Sequence, residues 1–160
     1  MFYNFTKISR FAPLFKALEK CKGVEQNAEH HPEGDVFTHS LQCLYWAFKE
    51  TEDVDLIVAA MTHDVGKCVQ KLGHHEYSVK MLEGSISAKT EWLVYNHMRF
   101  WDMMLGGMRK KSKVDALVQN KWFPDLCRLA RFDKLGRNPN KKIEYDRNKI
   151  LDKLRILNKE

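Results

Sequence analysis

The apolar residues of this chain recur at helical rather than strand spacing. Phe11, Leu14, Phe15 and Leu18 stand at i, i+3, i+4 and i+7, one stripe of a helix over Phe11 to Cys21. Asp35 is placed to cap a helix running to about Lys49, with Phe37, Leu41, Leu44, Tyr45 and Phe48 turned inward. Asp53 does the same before "VDLIVAAMTH", which is apolar nearly all round and reads as a central helix, with Gly66 as its expected stop. A short helix is expected from about His75 to Leu82, and Ser85 or Ser87 can cap the next, up to about Phe100. "LGG" at 105–107 breaks the chain, Val114 to Val118 makes a short helical piece, and Pro124 suits the first turn of a helix through "DLCRLARFDKLGR". After the "NPN" turn at 138–140, a basic amphipathic helix carrying Ile143, Ile150, Leu151, Leu154 and Ile156 closes the chain. No segment reads as a strand. The pattern predicts an all-α protein of roughly eight helices without significant sheet.

Composition agrees with that pattern. The chain has 160 residues, 44% hydrophobic and 30% charged, with only 4 prolines and 8 glycines. Such a chain suits one soluble domain over residues 1–160 with its own core, and too few turn residues are present for a many-turned β-sandwich. The 4 cysteines form no C-x-x-C pair, which argues against a structural zinc site and suits reduced thiols in a cytoplasm. No run of 18 apolar residues predicts a membrane span. The N-terminal stretch carries lysines and an arginine through its apolar part, so it does not read as a secretory leader.

Charge adds a possibility rather than an answer. The net charge is +6, concentrated in "MRKKSK" at 108–113 and in the segment from Arg137 onward. Such patches are either solvated surface or attractors of phosphate, on a nucleotide or a nucleic acid.

The chemistry lies in polar residues at positions that otherwise face inward. His39 sits inside the helix after Asp35. His63 and Asp64 close the apolar central helix, His97 ends "WLVYNH", and Asp133 interrupts "LARFDKLG". A carboxylate in an apolar helical segment is costly unless it is paired or binds a metal. Imidazoles and carboxylates together suit Mn, Fe, Ni, Co or Zn, which polarise a phosphoryl oxygen and activate water. His39, His63, Asp64 and Asp133 suffice for one ion. Adding His74 and His97 gives enough for two.

In order, the histidines and aspartates read H…HD…H…H…D, in "HHPEGDVFTHSLQCL", "THDVGK", "GHHEYSVKML", "LVYNHM" and "FPDLCRLARFDKLGR". This pattern resembles the HD-domain superfamily of metal-dependent phosphohydrolases, and most closely the HD domain attached to bacterial tRNA nucleotidyltransferases. The resemblance runs from about His31 to Arg137 and implies an HD-type helical bundle. It implies His39, His63, Asp64, His74, His97 and Asp133 as metal ligands for one or two divalent ions. In the "GHHEYS" stretch, counting back from Ser78 chooses His74 over His75. His30 and His31, before Pro32, read as surface or loop-fixing residues. Asp64 and Lys67 are the catalytic candidates, with Lys67 just past a glycine and placed to neutralise phosphate. Arg137, one turn after Asp133, either orients that carboxylate or meets phosphate. Arg109 and Lys110 of the basic loop are further phosphate candidates, and Trp101 is the aromatic placed for stacking.

The activity the resemblance implies is a phosphatase or 2′,3′-cyclic phosphodiesterase acting on a nucleotide or an RNA end. Hydrolysis of dNTPs or cyclic nucleotides stays open within the same class. A mixed-valent di-iron oxygenase would use the same six ligands. A non-catalytic RNA-binding module, using the basic tail, is a third class. The sequence leaves the oligomeric state open.

Overall fold

A computed structural model describes residues 9–160 of the chain. The stretch read as no leader falls outside the described residues over positions 1–8. Among the described residues there are eight α-helices and no strand: α1 (Ala12–Glu19), α2 (Val36–Glu50), α3 (Val54–Thr62), α4 (His74–Leu82), α5 (Ala88–Met104), α6 (Lys111–Val118), α7 (Phe123–Leu135) and α8 (Arg147–Leu157). A single 3-10 turn, Val65–Cys68, follows α3. None of these helices is long and apolar enough to cross a membrane.

The starts of the helices follow local chemistry. Asp35 accepts a hydrogen bond from the Thr38 amide, Asp53 from those of Asp55 and Leu56, and Ser87 from that of Thr90. Of the two candidate caps for α5, Ser87 is the one used. α3 is the centre of the bundle, and Leu56, Ile57, Ala59, Ala60 and Met61 are wholly buried. α2, α5 and α7 pack around it, α1 covers one end, and α4 lies on the 3-10 turn and α5. Phe11, Leu14, Phe15 and Leu18 of the first stripe are all at 0% exposure. Burying each such side chain contributes roughly 1.5–3 kcal/mol before entropy is counted.

Four readings of the pattern need correction. The deepest stripe of α2 is Val36, His39, Ser40, Cys43 and Ala47, while Phe37, Tyr45 and Phe48 are only half-buried. The polar residues of that stripe hid it from a hydrophobicity count. Gly66 does not stop α3, which ends at Thr62; it lies in the 3-10 turn where a Cβ would stand 2.1 Å from the His74 carbonyl oxygen. It is a glycine because α4 crosses against its backbone. α6 begins at Lys111, so half of the basic loop is its first turn. Ile143 precedes α8 and Ile156 is 73% exposed, so neither contributes to a buried stripe of that helix.

Candidate metal centre

The bundle brings six dispersed residues to one point: His39 from α2, His63 and Asp64 at the end of α3, His74 from α4, His97 from α5 and Asp133 from α7. All six are at most 5% exposed. Asp64 divides them into two lobes. Its Oδ2 lies 3.6 Å from His39 Nε2 and 3.5 Å from His63 Nε2, and Asp133 Oδ1 completes this lobe at 3.0 and 3.7 Å from the same two nitrogens. Its Oδ1 faces the other way, 3.0 Å from His74 Nε2 and 3.3 Å from His97 Nε2.

Each ring is oriented from behind. The Nδ1 atoms of His63 and His74 lie 3.0 Å from the carbonyl oxygens of Ala60 and Lys71, and that of His97 meets the Val94 carbonyl. His39 Nδ1 is shared between Glu33 Oε1 at 2.7 Å and the Gly136 carbonyl at 3.0 Å. With Nδ1–H donating, the lone pair on every Nε2 is aimed at the centre, the arrangement of imidazoles that bind metal. Two consequences test whether an ion fits. His63 Nε2 is buried with no hydrogen-bond partner. His74 Nε2 and His97 Nε2 face each other at 3.0 Å, and two opposed lone pairs repel unless a cation or proton lies beside them. The residues fit a cation in both lobes.

Electrostatics agree at the carboxylates and His97 and differ at His39, whose proton a bound ion would displace. Burial alone would raise the carboxyl groups of Asp64 and Asp133, but the facing histidines, with Lys67 for Asp64, hold both well below the usual range. Burial holds His97 below its ordinary value, which keeps its imidazole neutral. Burial also opposes charge on His39, yet Cys43, Asp133 and Glu33 around it raise it well above normal. Burial raises the Cys43 thiol, against the lowering influence of the adjacent His39.

Lys67 turns into the site, with Nζ 3.0 Å from Asp64 Oδ2 and 2.8 Å from Gln26 Oε1. Arg137 is placed to orient Asp133, reaching its Oδ1 at 3.3 Å, and it also lines the cleft. That cleft, of roughly 810 Å³, gives access to Asp64, His74 and Asp133. Lys67, Lys71, Lys134 and Arg137 line it against Glu29, Asp64 and Asp133, and Met98, Trp101 and Leu105 form an apolar wall. Arg109 and Lys110 are not brought there. They line a separate hollow of about 500 Å³ with Arg99 and Lys113, against another face of α5. His75 also stays outside, edge-on to Tyr95 at 5.1 Å between ring centres.

Two participants, Glu33 and Cys43, went unnoticed in the sequence, and two that were noticed, Trp101 and Ser78, have contacts it did not show. Glu33 backs His39 and is itself held at about 2: burial opposes its charge, but hydrogen bonds from His31 and His39 prevail. It lies within the quoted "HPEGD", which was the available clue. Trp101 donates from Nε1 to Asp133 Oδ2 at 3.0 Å, so it steadies a carboxylate as well as lining the cleft. Ser78 accepts from the Gly66 amide at 2.8 Å and donates to the His63 carbonyl at 3.0 Å, which ties α4 to the turn bearing Asp64. Cys43 stands 3.4 Å from His39 Nε2. His31 fixes the loop, with Nδ1 2.9 Å from Glu33.

A helical bundle with buried histidines and aspartates at the foot of a cleft lined by lysines and an arginine has the build of a metal-dependent phosphohydrolase. The chain belongs to the HD domain family, whose model matches residues 36–151, and that family lies in the metal-dependent phosphohydrolase superfamily. Among curated proteins it is 31% identical over 90 residues to the Multifunctional CCA protein of Dechloromonas aromatica, covering 52% of this chain and 22% of the relative. It is 43% identical over 56 residues to that of Methylococcus capsulatus, covering 35% of this chain and 13% of the relative. A longer match, 26% over 159 residues, is to that of Cupriavidus pinatubonensis, covering 86% of this chain and 38% of the relative. The chain thus spans well under half the length of these relatives.

Proposed function

We propose that the protein hydrolyses a phosphoester of a nucleotide or of an RNA end, as a phosphatase or 2′,3′-cyclic phosphodiesterase. The observation that carries this reading is the divided donor set, with one carboxylate, Asp64, presenting an oxygen to each of two groups of aimed imidazoles. His39, His63, Asp64 and Asp133 would hold one divalent ion, and Asp64, His74 and His97 a second. Such ions supply Lewis acidity toward a phosphoryl oxygen and an activated water. The chain's own residues do the rest. Lys67 and Arg137 touch the two carboxylates from the cleft side and neutralise an entering phosphate. Lys71 and Lys134 extend the positive field outward. Met98, Trp101 and Leu105 offer an apolar wall to a nucleobase or ribose. The relatives named Multifunctional CCA protein favour an RNA end over a free nucleotide.

A mixed-valent di-iron oxygenase would need the same donors. Lys67, Lys71, Lys134 and Arg137 outnumber the Glu29, Asp64 and Asp133 carboxylates of the cleft, and with ions bound to Asp64 and Asp133 that balance favours an anionic phosphoester instead. The test is metal analysis together with a panel of 2′-AMP, 2′,3′-cAMP, dNTPs and p-nitrophenyl phosphates, assayed with Mn²⁺, Ni²⁺, Co²⁺, Fe²⁺ and Mg²⁺. Turnover of the 2′-monoester or cyclic diester is expected. Oxygen consumption with iron, and no phosphoester cleaved with any metal, would establish the oxygenase reading.

A further inference from the structure

One buried group in the first lobe is not used by the reading above. Cys43 lies one helical turn after His39 on α2, so both side chains leave the same face. Its thiol is at 0% exposure, and the donor atoms of His39, Cys43, His63 and Asp133 all lie within 4.8 Å of one another. In the same group, the unpartnered and buried His63 Nε2 points to a ligand independently of the cysteine. The thiol's position is also set by its neighbour. A Cβ on Gly136 would stand 2.5 Å from Cys43 Sγ, so the end of α7 leaves room for the sulfur only because it is a glycine.

We propose that Cys43 is a sulfur ligand to the ion of the first lobe, making that lobe a histidine, carboxylate and thiolate site. The inference rests on the reading of the cluster as a metal centre. The spacing fits: bonds of about 2.1 Å to an imidazole nitrogen and 2.3 Å to sulfur, at an angle of about 100°, put the outer atoms roughly 3.4 Å apart, as His39 Nε2 and Cys43 Sγ are at 3.4 Å. The S–H bond breaks as the S–metal bond forms, and its proton leaves to solvent, so binding here releases one proton beyond what the imidazoles and carboxylates release. A thiolate selects softer ions, so this lobe prefers Zn²⁺, Co²⁺ or Fe²⁺ to Mg²⁺ or Mn²⁺.

The test loads the full chain with Co²⁺ or Zn²⁺ and records its near-ultraviolet absorption and metal-edge X-ray absorption. A sulfur-to-cobalt charge-transfer band and a sulfur scatterer at about 2.3 Å are expected. Cys21, Cys68 and Cys127 belong to no donor group among the described residues, so a sulfur scatterer reports Cys43. Cys43→Ser should remove the band and weaken Zn²⁺ binding about tenfold or more, with Mn²⁺ binding changed less than about twofold. Cobalt bound by nitrogen and oxygen alone, with one spectrum for wild type and Cys43→Ser, overturns the proposal and leaves the metal centre standing. Failure to bind cobalt or zinc at all overturns both. The edge spectrum of the wild-type protein decides the question even if the variant does not fold.

Discussion

The two lobes of the donor cluster share Asp64 and differ in how firmly they are held. In the Asp133 lobe the support is doubled. His39 Nδ1 meets both a carboxylate and a carbonyl, and Asp133 is gripped by Trp101 on one oxygen and Arg137 on the other. In the His74 lobe each imidazole has one backbone carbonyl behind it. That lobe depends on α4, which is held over the Asp64 turn by Ser78 and by the space Gly66 leaves. Preorganised donors lose less freedom on binding, so the difference predicts a tight ion beside Asp133 and a more exchangeable one beside His74. Occupancy of the more exchangeable ion is then expected to control turnover.

The largest effect should come from the residue the lobes have in common. Asp64→Ala is expected to lower kcat/KM by about three orders of magnitude or more. Lewis-acid stabilisation is worth several kcal/mol, and each 1.36 kcal/mol is tenfold. Steady-state kinetics with metal analysis checks this. Two full equivalents of tightly held metal in that variant would mean that the lobes do not share a ligand.

Next in size is a variant confined to one lobe. His97→Ala should reduce Mn²⁺ stoichiometry from two to one and slow turnover roughly a hundredfold, because the Asp133 lobe stays intact. His75→Ala should leave both unchanged. If His75→Ala abolishes activity and His74→Ala does not, the alignment on Ser78 was misplaced. Counting back from Ser78 chooses His74, and the Ser78 contacts to the Gly66 amide and the His63 carbonyl are what hold α4 in place.

Much of the fold was legible for a similarly physical reason. Asp35, Asp53 and Pro124 each satisfy or avoid an orphan amide, and that chemistry is local. What escaped depends on tertiary partners. The polar stripe His39, Ser40 and Cys43 is buried only because the site lies beneath it. Gly66 looked like a helix stop because the crossing of α4 cannot be seen in the chain. His39, His63, Asp64, His97 and Asp133 could be named because each is an ionisable group in apolar surroundings, and His74 only because the motif of the resembled family counts back from Ser78. Glu33 could not, since a glutamate in a loop looks ordinary until His39 is beside it, and Trp101, singled out for stacking, gave no sign of its bond to Asp133. The basic stretch lies elsewhere: Arg109 and Lys110 read as phosphate candidates, and they line a hollow separate from the metal cleft, against another face of α5.

A smaller effect tests the doubled support of His39. Glu33→Gln keeps the shape but removes the charge that stiffens the ring, and metal affinity of the Asp133 lobe should fall about 10- to 100-fold. The same variant has a pH dependence. Because Glu33 is held at about 2 in the folded protein, below its ordinary value of about 4.3, it contributes stability that is fully present above the ordinary value. That contribution fades as pH falls toward about 2. The difference in thermal midpoint between wild type and Glu33→Gln, both metal-free, should be greatest near neutral pH and shrink below about pH 4. A difference that stays constant down to pH 3 would show that Glu33 acts by packing and not by charge.

The smallest effect separates the cations of the cleft from those of the basic stretch. Lys67→Ala removes a contact to Asp64 and to an entering phosphate, and such a contact strengthens as charge develops in the transition state. Its loss should lower kcat about tenfold at every salt concentration, since Lys67 is largely buried against Asp64 and poorly screened. Arg109, Lys110 and Lys111 are exposed, and the first two line the hollow that is separate from the metal cleft. Neutralising all three should leave kcat alone and raise KM by about two- to threefold at low salt. The increase should vanish near 0.1 M, where exposed charges are screened within about 10 Å. A long RNA end should feel this loss more than 2′-AMP, because only a strand can reach from the cleft around α5 to the second hollow. Equal losses for both substrates would make the hollow a source of general field and not a track for a strand. No loss with either, at any salt, would leave it as a solvated surface.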